Sequence, residues 1–210
     1  MKLSCLIIFL FCTVTSYAQD SVKTSKMAFS GCSGGMMLHT GYVQSRDITF
    51  YNTDGSVHET LQMKGAPFGI GGAIRAHFGK HLRVGSEGYV STLVYGKYKS
   101  YSSIGWGGLL MDCVWSLKRW TPFIGGTIGG GSVKNVTLLN ETPQDFVIEQ
   151  QSTSYRKYAF MALNPFVGVE YALTAKIHFV FKMDYLLNVT DWQDDYVNGV
   201  RFFVGVMFCH

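Results

Sequence analysis

Ionisable side chains are sparse in this 210-residue chain, 14 acidic against 18 basic. Most of those able to do chemistry stand between apolar neighbours. In Lys176–Leu187 every odd position is apolar, from Ile177 through Phe179, Phe181, Met183 and Tyr185, while Lys176, His178, Lys182 and Asp184 take even ones. The same alternation sets Arg75, Arg83, Glu87, Asp112, Glu170 and Arg201, with His39 and His77, opposite apolar faces in other segments. Charges removed from water need partners, so both signs on one set of faces imply a structural network. A proton or ion path is the sharper alternative. Ser56, His58 and Glu59 form the one tight cluster of nucleophile, base and carboxylate types, the set that acyl and lipid chemistry uses. They stand on a polar stretch and read as a solvated loop face. Asp191, Asp194 and Asp195 supply calcium-type ligands without the spacing of a known site, so no metal and no cofactor is expected.

The elements that must position these groups follow from a period of two, which is that of a strand with two unlike faces. The first strand is expected over 29–43 and the second over 67–78, with Gly79-Lys80-His81 as a tight turn. The third is expected over 82–98 and the fourth over 103–117, turned by Lys118-Arg119-Trp120. The glycine-rich fifth, 121–136, leaves its facing open. The sixth runs 156–173, the seventh 176–187 and the eighth from Asn198 to the end. Between the first two, 47–60 centres on Asp54-Gly55, the residue pair that a two-residue hairpin turn favours, so loop one reads as a projecting ribbon. Loop three, 137–155, carries Glu141 to Asp145 as a second ribbon's turn, and loop four is 190–197. Long and short connections alternate, which is the asymmetry of an up-and-down barrel.

Met1–Ala18 has the composition of an export signal cut after Ala18: Lys2, the apolar run Leu6–Phe11, then Ser16-Tyr-Ala18. The domain is then 19–210. Charged residues are 15% of the chain, aromatics 15%, and glycines number 24, fewer charges than the ~25% of soluble domains. No later run is long and apolar enough for a helical span. A net charge of +4 does not argue for nucleic acid.

Two barrels satisfy an alternating pattern: a soluble lipocalin-like one, apolar inside, or a membrane barrel, apolar outside. The charged faces are padded with Gly, Ser, Ala and Thr, which suit a narrow lumen better than a wetted surface. Several strands run to ~15 residues where ~9 to 11 cross a bilayer. The last strand, Gly199-Val-Arg-Phe-Phe-Val-Gly-Val-Met-Phe208, resembles the assembly signal of outer-membrane barrels, and the mature chain resembles the small eight-stranded OmpA/OmpX-like proteins. The tail Cys209-His210 departs from the usual terminal aromatic. The expected fold is therefore all-β, an eight-stranded antiparallel up-and-down transmembrane β-barrel in the outer membrane of a Gram-negative bacterium, both termini on the short-turn side.

That resemblance implies a non-enzymatic barrel whose loops one and three bind or adhere, or which serves envelope integrity. Rival readings are a lipid-modifying enzyme and a transporter of small hydrophobic molecules. Expected partners are outer-membrane lipids, the barrel-assembly machinery through the last strand, and an extracellular protein or surface ligand at the two ribbons. Cys32 and Cys209 fall at one rim of strands that meet at the seam, yet alternation points them to opposite faces; Cys113 reads as lipid-facing. The Asn-x-Thr triplets at Asn135, Asn140 and Asn188 carry no meaning in a bacterial envelope. Because a two-residue turn needs left-handed φ angles, Gly55→Val is expected to loosen loop one and leave the barrel intact, read as faster protease cleavage on intact cells with unchanged heat-modifiable mobility.

Overall fold

The computed structural model describes residues 28–51, 57–96, 99–138, 153–190 and 193–210. The signal segment, the Asp54-Gly55 turn, Ser56, Glu141 to Asp145 and Asp191 lie outside the described residues, as do the side chains of His58 and Glu59. The described residues form ten strands: β1 (Phe29–Tyr51), β2 (Val57–Gly65), β3 (Phe68–Phe78), β4 (Leu82–Tyr95), β5 (Ser100–Val114), β6 (Trp120–Leu138), β7 (Thr153–Ala172), β8 (Ile177–Tyr185), β9 (Leu187–Asn188) and β10 (Asn198–Cys209). Each pairs antiparallel with its neighbour, and β10 closes on β1 from Ser33↔Cys209 to Gln44↔Asn198. β2 prolongs the barrel strand of β3, and β9 that of β8, so the ring has eight members. Within the ring, closure removes the bare edges that an open sheet has.

Local chemistry explains where the ladders turn or break. Lys118 takes a left-handed φ of 56°, and Leu117 and Trp120 exchange backbone hydrogen bonds of 2.7 and 2.9 Å across that two-residue turn. Gly96 and Lys99 have φ of 72° and 57°, so the chain turns between Tyr95 and Ser100. The third and fourth strands accordingly end and begin about three residues earlier than the sequence pattern implied. Pro165, which has no N–H for a ladder, sits where β8 gives way to β9. The register is unchanged across that interruption, Phe166↔Asp184 on one side and Leu163↔Leu187 on the other.

Facing is now explicit in every strand. The outer surface carries Met36, Leu38, Ile70, Ile74, Val90, Leu109, Met111, Ile124, Ile128, Met161, Val167, Phe181 and Val204, all exposed. Trp115, Trp120 and Phe29 mark the short-turn end of this surface. Inside are Arg75 and Lys182 at 0% exposure and Arg201 at 1%. An apolar exterior around a charged interior is the pattern of a barrel that meets hydrocarbon, and it overturns the lipocalin-like alternative. The fifth strand, whose facing the pattern left open, puts Ile124 and Ile128 outward and Phe123, Thr127 and Val133 inward. Its inward glycines make room for neighbours: a Cβ on Gly131 would stand 2.6 Å from the Trp106 Cβ.

Neighbouring residues of β8 give the direct check. Phe181 is 45% exposed and Lys182 fully buried. In vesicles with brominated lipids, Phe181→Trp fluorescence is expected to be quenched strongly and Lys182→Trp hardly at all; equal quenching would contradict the facing.

Candidate functional site

The inward charges converge where the ring brings distant strands together. At the short-turn end Glu170 of β7 accepts hydrogen bonds through Oε1 from Arg75 Nη1 (2.9 Å) and Arg83 Nη1 (2.6 Å). Asp112 of β5 takes Arg83 in a bidentate grip, Nε to Oδ1 at 2.6 Å and Nη2 to Oδ2 at 3.0 Å, and lies 3.4 Å from Arg75 Nε. The ring of Phe123 has both guanidinium carbons 5.1 Å from its centroid, so the cations are held against an aromatic face as well as by carboxylates.

A second group lies further along the strands. Lys182 Nζ donates to Glu87 Oε2 at 2.8 Å and stands 3.3 Å from Asp184 Oδ2. Thr127 Oγ1 donates to Glu87 at 2.6 Å, and Asn164 Nδ2 to Asp184 at 2.9 Å. Seven of the eight sequence-expected lumen charges thus form two paired groups. The eighth, Arg201, is drawn instead to aromatics: its guanidinium is 5.6 Å from the Tyr89 ring centroid, and among the described residues no carboxylate lies within salt-bridge distance. His39 packs there between Tyr89 and Phe203, at 4.8 and 4.7 Å between centroids.

Beyond that aromatic layer the lumen turns apolar, with Val43, Met63, Leu93, Ile104, Val133, Phe160 and Leu186 all buried. Here the sequence reading missed a feature. Loop four is not a solvated acidic loop in its described part, because Asp195, Tyr196 and Val197 are buried in the barrel mouth. Asn135 Nδ2 donates to the Asp195 carbonyl (3.0 Å) and Oδ2 (2.9 Å), Arg156 lies 3.5 Å from the same carboxylate, and Tyr196 meets Phe160 at 5.3 Å between centroids. Asp194 remains at the surface, 3.7 Å from Arg46. The signal available was Tyr196-Val197 following the acids, an apolar pair that a wetted loop has no use for.

An open cavity of about 420 Å³ lies at the short-turn rim, lined by His77, Lys80, His81, Arg83, Glu170 and His178 among others. His178 Nδ1 is 3.3 Å from Glu170 Oε2 and 3.5 Å from Cys209 Sγ. A nucleophile–base–carboxylate relay needs the two ring nitrogens for different partners, whereas both contacts here fall on one, and Glu170 already holds two arginines. Cys32 is exposed on the outer face, opposite His210 rather than Cys209, with mutual backbone hydrogen bonds of 2.9 and 2.8 Å. The seam cysteines point apart and stay unlinked, and Cys113 is exposed on the outer face. Among the described residues no three His, Cys, Asp or Glu side chains converge as a metal site.

With this geometry in place, comparison with solved structures settles the architecture. OprG of Pseudomonas aeruginosa, an outer-membrane protein, superposes with a TM-score of 0.53 over 87% of this chain and 97% of its own, at 12% identity. This chain has the fold of the small outer-membrane barrels. Neisserial surface protein A aligns over 86% of this chain and 98% of its own, at 12% identity and a TM-score of 0.49. Ail, the attachment invasion locus protein of Yersinia pestis, crystallised with the heparin analogue sucrose octasulfate, covers 86% of this chain and 99% of its own at 13% identity, TM-score 0.48. No family model and no curated protein matches the sequence.

Glu170 is the group on which the lower cluster turns. Glu170→Gln leaves two buried guanidinium ions sharing Asp112 alone, and breaking one side of a buried pair costs ~3 to 5 kcal/mol. Its urea midpoint in detergent is expected to fall sharply, while Lys176→Gln, exposed at the short-turn end, leaves it nearly unmoved.

Proposed function

We propose that the protein is a non-enzymatic integral outer-membrane barrel whose two long hairpins present binding or adhesive edges, with envelope integrity as its basal role. The observation that supports this is the combination of a filled lumen with hairpins that outrun the membrane. Paired charges occupy the short-turn half, and buried, mainly apolar side chains beneath Asp195–Val197 occupy the other, an arrangement that supports a barrel without a transport path. The β6/β7 ladder continues from Trp120↔Tyr171 to Leu138↔Thr153, strands of 19 and 20 residues where ~9 to 11 span a bilayer.

β1 and β2 pair onward to Tyr51↔Val57, past the point where the β4–β5 hairpin turns back. From there the second edge of β2 has no strand partner among the described residues, and the β7 edge over 153–160 is likewise bare. Unpaired edges are templates for strand addition by a partner chain. The last strand is read as the handle for the barrel-assembly machinery, and an exported chain with its signal removed after Ala18 as the mature form.

The rival readings separate in one set of measurements. Reconstituted in planar bilayers, the protein is expected to give no conductance steps. A deletion strain is expected to keep the parental lipid A mass spectrum. Replacing 46–62 by a two-residue Asn-Gly turn is expected to abolish capture of an extracellular ligand by intact cells while leaving the barrel folded. Regular conductance steps would revive the transporter reading, and an altered lipid A spectrum the enzyme.

A further inference from the structure

On the outer face of the β6/β7 ribbon Lys134 stands directly opposite Lys157. Both are exposed, and among the described residues neither has a carboxylate partner. Directly opposed side chains on one face of an antiparallel pair have Cβ atoms ~4.5 to 5.5 Å apart, and like charges there destabilise the ladder. Two ammonium groups at that spacing, with no carboxylate beside them among the described residues, ask for an anion between them.

Their height says which anion. Lys134 lies fourteen residues along β6 from Trp120 of the aromatic band at the short-turn end. At ~3.3 Å per residue and a tilt of ~40°, that is roughly 35 Å up the barrel axis, against an apolar band ~25 Å tall. The pair therefore sits about 10 Å beyond the far edge of the hydrocarbon, at the level of outer-leaflet headgroups. The surroundings suit a headgroup. On the membrane side the next outward residues across β5, β6 and β7 are Gly105, Ser132 and Ala159, none larger than serine. On the loop side they are Tyr101, Val136 and Tyr155, with both tyrosines exposed. Ser103 completes the row of the lysines.

We infer that Lys134 and Lys157 form a binding site for a phosphate group of an outer-leaflet glycolipid, clasped between the two ammonium groups over this shallow dish. The inference rests on the outer-membrane reading and names a lipid partner for it. It gives the like-charge pair a purpose: the repulsion is relieved only when the barrel is seated in the leaflet that carries the phosphate.

The test uses the full mature chain, refolded in detergent with EDTA present, and follows its thermal midpoint by heat-modifiable mobility. Bisphosphorylated lipid A is expected to raise the parent's midpoint by about 2 to 4 °C, and dephosphorylated lipid A or equimolar inorganic phosphate to leave it in place. Lys157→Glu, which turns the repulsive pair into an attractive one, is expected to be at least as stable as the parent in detergent alone and to lose the lipid A response; Lys157→Arg is expected to keep it. An equal gain from dephosphorylated lipid A or from free phosphate, or a response retained by Lys157→Glu, would overturn the site. Failure of the underlying reading looks different: the chain would then not enter phospholipid vesicles in a heat-modifiable form at all.

Discussion

The structure hangs on one electrostatic requirement: charges shut inside a ring of eight strands need a partner within a few ångströms, and seven of the eight lumen charges find it in one another. Glu170 meets it for two arginines at once, Asp112 grips one of them with both oxygens, and Lys182 bridges Glu87 and Asp184. These partners come from β3, β4, β5, β7 and β8, so the pairs exist only when every one of those strands is in register. A slip of one residue would carry a charge into hydrocarbon and a phenylalanine into the lumen. Charge pairing inside and apolar burial outside therefore select the same register, a form of agreement between levels that makes a fold specific.

Much of this was legible in the primary structure because a strand has an integral period. Once Phe181 and Lys182 are neighbours, the facing of the whole segment follows, and the same reading placed Arg75, Arg83, Glu87, Asp112, Glu170 and Asp184 indoors. What alternation does not encode is which cation meets which carboxylate. That depends on stagger between strands up to 95 residues apart in sequence, as Arg75 is from Glu170. Arg201 shows the limit well: its type and parity promised an ion pair, and the ring of Tyr89 took its place.

The two elements that sequence reasoning described poorly failed for different physical reasons. β6 is rich in glycine, which gives no hydrophobic contrast, and its facing emerges only from Trp106 and Asp112 needing space on the adjacent strand. Loop four looked like a solvated acidic connection because Asp191, Asp194 and Asp195 outweigh Tyr196 and Val197 in composition. In a barrel mouth, however, a short segment can split its allegiance, sending one acid to solvent and burying the next against an asparagine.

That inward fold divides the outer surface into parts with unequal freedom to change. Residues 195–197 are committed to packing beneath the mouth, so drift there is tied to Asn135, Arg156 and Phe160. On the β1/β2 hairpin at the same rim, Gln44, Thr60 and Lys64 are exposed and carry no such debt to the interior. A population of such proteins facing shifting external pressures would diversify at those outward positions and hold 195–197 nearly still, although both stand at the same rim.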